Sequence, residues 1–195
     1  MPEKKKSVIF ALIFVAAVFL SFRIDGIAND AAAKYRSIYL DIFFSTITSV
    51  VFVILAMYVV PSIALYNKKR NGITLLSAAL ALSILLSAVI KITFLRERPN
   101  METGYEIFSV IDYSFPSMHS MIVFSLLPIL ISDLKKQKIM WIFLAFMIAF
   151  SRIYLHFHFL SDVVAGSLIG YCIGYLILRY RKIQQANKKN GTKNI

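Results

Sequence analysis

Apolar residues run through this chain in long blocks separated by short polar or basic breaks. The blocks fall at 8–22, 38–66, 73–95, 116–132, 139–155 and 163–178, followed by a basic, polar tail at 179–195. A helix crosses a bilayer core in about twenty apolar residues. Six blocks therefore predict an all-α bundle of six transmembrane helices, a single integral-membrane domain over 1–195. The second block is longer than a bilayer needs, and a tilt or a kink at Pro61 is expected. Positions 23–37, with Gly26, Asn29 and Asp30, read as a loop or short surface helix. A second polar loop from Asn100 to Ser114 carries Glu102, Glu106 and Asp112, and Pro116 then suits the first turn of the fourth helix. Lys4, Lys5 and Lys6 before the first block resemble the start of a signal peptide. No small-x-small cleavage site follows, which favours a retained span. The tail is expected to fray.

Composition agrees with the pattern. The chain is 58% hydrophobic with a mean hydropathy of +0.70, above the range of soluble domains. Its net charge of +12 is not a nucleic-acid footprint, because the cations fall in short clusters between apolar blocks. Such clusters set topology and attract anionic lipid. With six spans, the N-terminus, the turns at 67–72 and 133–138 and the tail share one side. Fifteen of the 22 Lys and Arg lie there. The positive-inside rule makes that side, and both termini, cytoplasmic. Cys172 is the only cysteine, so no disulfide framework exists.

The same alternation gathers chemistry at the non-cytoplasmic rim. The end of the third span, the start of the fourth, the end of the fifth and the start of the sixth carry Lys91, Arg98, Ser117, His119, Arg152, His156, His158 and Asp162. Lys91 and Arg98 are seven residues apart and share a helical face if the helix persists to Pro99. With Arg152 they would clamp a dianionic phosphoryl group. Ser117 begins a helix, where free backbone N–H groups favour an anion. His158 and Asp162 are four apart. On a continuous helical turn the carboxylate would accept from one ring nitrogen and leave the other to attack. His119, from another helix, would protonate a leaving oxygen. Each residue also has a plain reading: Lys91 snorkels, Arg96 and Arg98 anchor at the interface, and Ser117 is only a cap. His156 keeps its plain reading as a polar interface residue, having no carboxylate four residues on. The others would need to coincide independently on one face.

Lys91-x6-Arg98-Pro99, Pro116-Ser117-Met118-His119 and Ser151-Arg152-x5-His158-x3-Asp162 together resemble the three-part signature of the type-2 phosphatidic acid phosphatase superfamily. Its members are integral-membrane lipid phosphatases related in their core to vanadium haloperoxidases and glucose-6-phosphatase. The resemblance implies that His158 is the nucleophile of a phosphohistidine intermediate, Asp162 its orienting partner and His119 the general acid. It implies that Lys91, Arg98, Ser117 and Arg152 hold the phosphate oxygens, with no metal and no other cofactor. Met118 belongs to this phosphate-binding set but stands where the family usually carries glycine, which leaves space for phosphate to approach backbone N–H groups.

The expected function is a phosphatase acting on a membrane lipid phosphate or diphosphate at the outer leaflet of the plasma membrane. A polyprenyl diphosphate is favoured, for carrier-lipid recycling, with phosphatidylglycerophosphate or phosphatidic acid as the alternative. The bilayer and its lipid are the expected partners, with no nucleic acid and no obligate protein partner. A transporter would spread ionisable groups through the membrane depth, whereas here they cluster at one face. An inactive lipid-binding member would not need His119, His158 and Asp162 together.

Overall fold

The computed structural model of the protein describes residues 3–67, 70–99 and 113–191, and no strand occurs among them. Lys68, Lys69, the loop acids Glu102, Glu106 and Asp112, and the tail from Thr192 lie outside the described residues. The helices are α1 (Glu3–Lys34), α2 (Ile38–Thr48), α3 (Val50–Ile54), α4 (Val60–Tyr66), α5 (Arg70–Phe94), α6 (Met118–Asp133), α7 (Lys138–Tyr154) and α8 (Leu160–Gly191). By length and composition, four helical stretches among the described residues suffice to cross a membrane: Leu12–Lys34, Asn71–Phe94, Lys135–Tyr154 and Leu160–Asn187. The pair Ile38–Thr48 and Val50–Tyr66 makes a fifth if it counts as one span. Helix α6, at 16 residues, is shorter than these.

Several boundaries differ from the apolar blocks. The segment 23–37 is not a loop: α1 runs to Lys34, carried past Asn29 and Asp30 by Ala31, Ala32 and Ala33, the strongest helix formers. The second block breaks at Ser49, with a bend of 51°, and not at Pro61. Ser49 leaves helical geometry with ψ 141°, and its hydroxyl accepts from the Phe52 N–H at 3.2 Å to start α3. Pro61 instead lies in the first turn of α4, just after a π-helical turn at Leu55–Val59. Its missing N–H removes one donor from the helical ladder there. Helix α6 begins at Met118 with Ser117 as N-cap, so Pro116 precedes the helix. The tail stays helical to Gly191, as its Arg, Lys, Gln and Ala content permits.

Helix α6 is the centre of the bundle. Every residue from Ser120 to Leu130 is buried, so its apolar residues need no single inward stripe. Its closest partner is α8, which presents Gly166, Gly170 and Gly174 at four-residue intervals. A Cβ at these positions would stand 2.6 Å from the Ser117 carbonyl oxygen, 2.2 Å from that of Met121 and 2.0 Å from that of Ser125. Only glycine lets the two backbones meet this way. The far ends of α6 and α8 are joined by Arg181, whose Nη2 donates to Asp133 Oδ1 at 2.9 Å and to Ser132 Oγ at 3.2 Å. Large apolar side chains such as Val15 and Phe19 on α1, Val89 on α5 and Phe143 on α7 are exposed around the outside. That surface suits lipid tails. The interior is less uniformly apolar than the sequence pattern indicates, since Asp25, Ser83 and Ser87 are buried between helices.

The glycine contacts make a prediction. Gly170→Ala should destabilise the protein by about 1–3 kcal/mol through overpacking, seen as a lowered thermal unfolding midpoint in detergent. Gly26→Ala, where an added Cβ meets no atom within 4 Å, should be neutral or slightly stabilising.

Candidate active site

Four chain segments converge at the end of the bundle opposite the Asp133–Arg181 pair. The first is the end of α5. Lys91 is 1% exposed there, and its ammonium donates to the Tyr113 carbonyl. The helix stops at Phe94, and Leu95, with φ 48°, turns the chain away while its N–H still reaches the Lys91 carbonyl at 3.0 Å. Lys91 and Arg98 therefore do not share a helical face as expected. Arg98 returns by the following loop, its Nη1 3.5 Å from the Phe157 carbonyl oxygen.

The second segment is the start of α6. The Ser117 N–H donates to the Asp162 carbonyl at 3.0 Å, which ties this cap to the first turn of α8. The buried Ser117 hydroxyl accepts from Ser120 Oγ at 3.1 Å. Met118 packs its side chain against the apolar core, and a helical start accommodates it without left-handed backbone. His119 follows, partly buried, within electrostatic reach of Arg152, His158, Arg98 and Lys91.

The third and fourth segments are the end of α7 and the start of α8. Arg152 is buried, donates from Nη1 to Thr48 Oγ1 at 2.9 Å, and holds its guanidinium carbon 4.6 Å from the centre of the Phe157 ring. Its Nε is buried with no acceptor among the described residues. A tight turn follows in which His156 adopts φ 57°, and the N–H groups of Phe157 and His158 both donate to the Arg152 carbonyl at 3.1 Å. This turn aims His158 inward. His156 lies apart, beside Arg36 and Asp41.

His158 thus precedes α8 and does not lie on one helical turn with Asp162, as the four-residue spacing suggested. Its Nδ1 is 3.6 Å from Asp162 Oδ2, too long for a hydrogen bond. Ser114 bridges the two: its hydroxyl donates to Asp162 Oδ2 and lies 3.4 Å from His158 Nδ1. Asp162 Oδ2 also accepts from the Phe159 N–H at 2.8 Å, and Oδ1 accepts from Arg96 Nη1 at 2.6 Å. Burial holds the His158 ring well below the usual histidine pKa, and Arg152, Lys91 and Arg98 push the same way. The imidazole is neutral near pH 7, with Nδ1 on the Ser114–Asp162 side.

Of the residues expected at this site, Lys91, Arg98, His119, Arg152 and His158 lie within electrostatic reach of one another. Asp162 stands beside His158, the Ser117 N–H is tied to the Asp162 carbonyl, and Met118 turns its side chain to the core. The structure adds Ser114, Arg96 and Asp25. Arg96 had a plain reading as an interfacial anchor, yet it reaches Asp162 and also donates to Asp25 Oδ2 at 2.8 Å. A carboxylate inside a lipid-facing helix is a functional signal, but it is hidden at Asp25 when the segment is read as a loop. Among the described residues no cluster of three His, Cys, Asp or Glu has metal-binding geometry. A groove of about 1120 Å³ between the far ends of α5, α6 and α8, lined by Asp133, Lys135, Lys138 and Arg181, holds none of these groups.

Known proteins resemble this chain in sequence and in fold. Over 60 residues, 31% of this chain and 30% of the relative, it is 42% identical to the bacitracin transport permease protein BcrC of Bacillus licheniformis. Over 84 residues, 40% of this chain and 41% of the relative, it is 34% identical to an undecaprenyl-diphosphatase of Sulfolobus acidocaldarius. The chain thus spans less than half the length of these curated relatives in the matched regions. Its fold resembles the crystal structure of a transmembrane PAP2-type phosphatidylglycerolphosphate phosphatase from Bacillus subtilis, with a TM-score of 0.70 and 24% identity. That match covers 90% of this chain and 94% of that one. LpxE of Aquifex aeolicus superposes with a TM-score of 0.62 and 26% identity, over 83% of this chain and 96% of that one. A family model for the PAP2 superfamily matches residues 72–186, a range that contains Lys91, Arg98, Ser117, His119, Arg152, His158 and Asp162. The chain is an integral-membrane member of the PAP2 superfamily.

Proposed function

We propose that the protein is a lipid phosphatase that works through a phosphohistidine. The observation that carries this reading is the neutral, buried His158, with Nδ1 engaged by the Ser114–Asp162 pair and three cations gathered around it. Lys91, Arg98 and Arg152 neutralise the phosphoryl oxygens, Arg152 Nε, which has no acceptor among the described residues, serving as one donor. Ser117 and the first N–H groups of α6 complete the cradle. His158 Nε2 attacks phosphorus as the bond to the leaving oxygen breaks, and His119 delivers a proton to that oxygen. Water, deprotonated by the now neutral His119, then attacks phosphorus as the bond to His158 Nε2 breaks. Inorganic phosphate leaves and His158 is restored. The cations supply the positive charge that a metal would otherwise bring.

The preferred substrate is a polyprenyl diphosphate, supported by the similarity to an undecaprenyl-diphosphatase. Phosphatidylglycerophosphate and phosphatidic acid are the alternatives. The apolar outer faces fit a lipid tail entering between helices. A transport role, which the name of the BcrC relative raises, fits less well, because the cations and histidines gather at one rim. The reading includes six spans, with α6 as a short span enclosed by the others. Both termini are then cytoplasmic and the site faces outward across the plasma membrane, in keeping with the bias of cations to one side.

His158→Ala should lower phosphate release from a lipid phosphate by at least ~10³-fold. Activity at the wild-type level in that variant sinks the mechanism. Wild-type activity should survive a chelator, measured as phosphate release with excess EDTA. The pH profile follows from the state of His158. The attacking form is the neutral ring, present above the depressed pKa and lost as pH falls through it. Activity lost to His158 protonation should therefore fall away only well below the ordinary histidine value of 6.5. Comparing rates on polyprenyl diphosphates and glycerophospholipid phosphates identifies the lipid.

A further inference from the structure

We propose that Asp25 and Arg96 are positioning residues for the His158 reaction, acting from α1 through Asp162 and Ser114. This rests on the phosphatase reading above. Arg96 divides its guanidinium between two buried carboxylates: Nη1 donates to Asp162 Oδ1 at 2.6 Å and Nη2 to Asp25 Oδ2 at 2.8 Å. Nη1 also reaches Ser161 Oγ at 2.6 Å, and that hydroxyl donates to Asp25 Oδ2 at 2.6 Å. The other oxygen of Asp25 accepts from the Ser161 N–H at 2.8 Å. The guanidinium carbon sits 4.8 Å from the Phe22 ring centre and 4.1 Å from that of Phe159. Arg96 is therefore held on several sides.

The two oxygens of Asp162 face different neighbours. Oδ2 serves Ser114 and the Phe159 N–H on the His158 side, while Oδ1 meets Arg96. Rotation of the carboxylate would take the acceptor from Ser114 and release His158 Nδ1. Arg96 blocks that rotation, and Asp25 fixes Arg96. Around Asp25, helix α1 is largely outward-facing, with Leu20 and Ile27 exposed while Ser21 and Asp25 are buried. A buried carboxylate there is costly unless it is paired. The pairing makes α1 part of the site's support as well as a membrane helix.

Positioning predicts a loss in turnover without a loss in phosphate binding. With the purified full chain and farnesyl diphosphate in detergent, Arg96→Gln should lower kcat ~10–100-fold, as loss of a supporting hydrogen-bond partner does elsewhere. KM and the inhibition constant of inorganic phosphate should stay within about twofold. Asp25→Asn, which keeps the side-chain volume, should lower kcat by a smaller factor, and the double variant should fall no further than Arg96→Gln. Methylguanidinium added to Arg96→Gly should restore part of kcat. Wild-type kcat in either single variant overturns the inference, and so does a phosphate constant that rises in step with the fall in kcat. If Arg96→Gln fails to elute as a folded species, Asp25→Asn and the methylguanidinium rescue decide. His158→Ala is assayed alongside: full activity there overturns the phosphohistidine reading, a result distinct from either failure above.

Discussion

The backbone contact between α6 and α8 is what the rest of the site depends on. Gly166, Gly170 and Gly174 let α8 lie against the carbonyls of Ser117, Met121 and Ser125. The same approach lets the Ser117 N–H reach the Asp162 carbonyl. The start of α6 and the start of α8 are thereby set at one level, which brings His119 beside the His158–Asp162 segment. In lipid, with no hydrophobic drive between helices, such close van der Waals contact holds helices together alongside the hydrogen bonds between them.

Electrostatics impose the second constraint. Lys91, Arg98 and Arg152 share a low-dielectric space with two histidines, and their mutual repulsion must be relieved there. Part of the relief is visible. Lys91 donates to a carbonyl, and Arg152 lies against the Phe157 ring and donates to Thr48. On the other side of Asp162, two carboxylates share the single guanidinium of Arg96. Asp162 thus stands between a cationic side around His158 and the Arg96–Asp25 pair toward α1.

The helices and the residues at the rim were legible because membrane length and motif spacing are local properties of the chain. The manner of their meeting was not. The end of α5 at Phe94 has no glycine to announce it, since Leu95 takes the left-handed conformation itself. Without that break, Lys91 and Arg98 look like neighbours on one helical face. The four-residue spacing of His158 and Asp162 likewise hides a turn, made by His156, and the Ser114 bridge. Arg96 and Asp25 are 71 residues apart, and no period connects them. The glycine repeat on α8 was readable in the sequence, but the carbonyls it meets belong to another helix.

The bend at Ser49 lies beside this tightly packed assembly. Helices α6 and α8 meet backbone to backbone, which sets their two halves of the site in one register. Helix α2 ends at Thr48, one residue before the bend, and the Thr48 hydroxyl holds Arg152. The residue that closes α2 therefore also anchors a guanidinium of the site, so the place where the second apolar block bends fixes where Arg152 finds its acceptor.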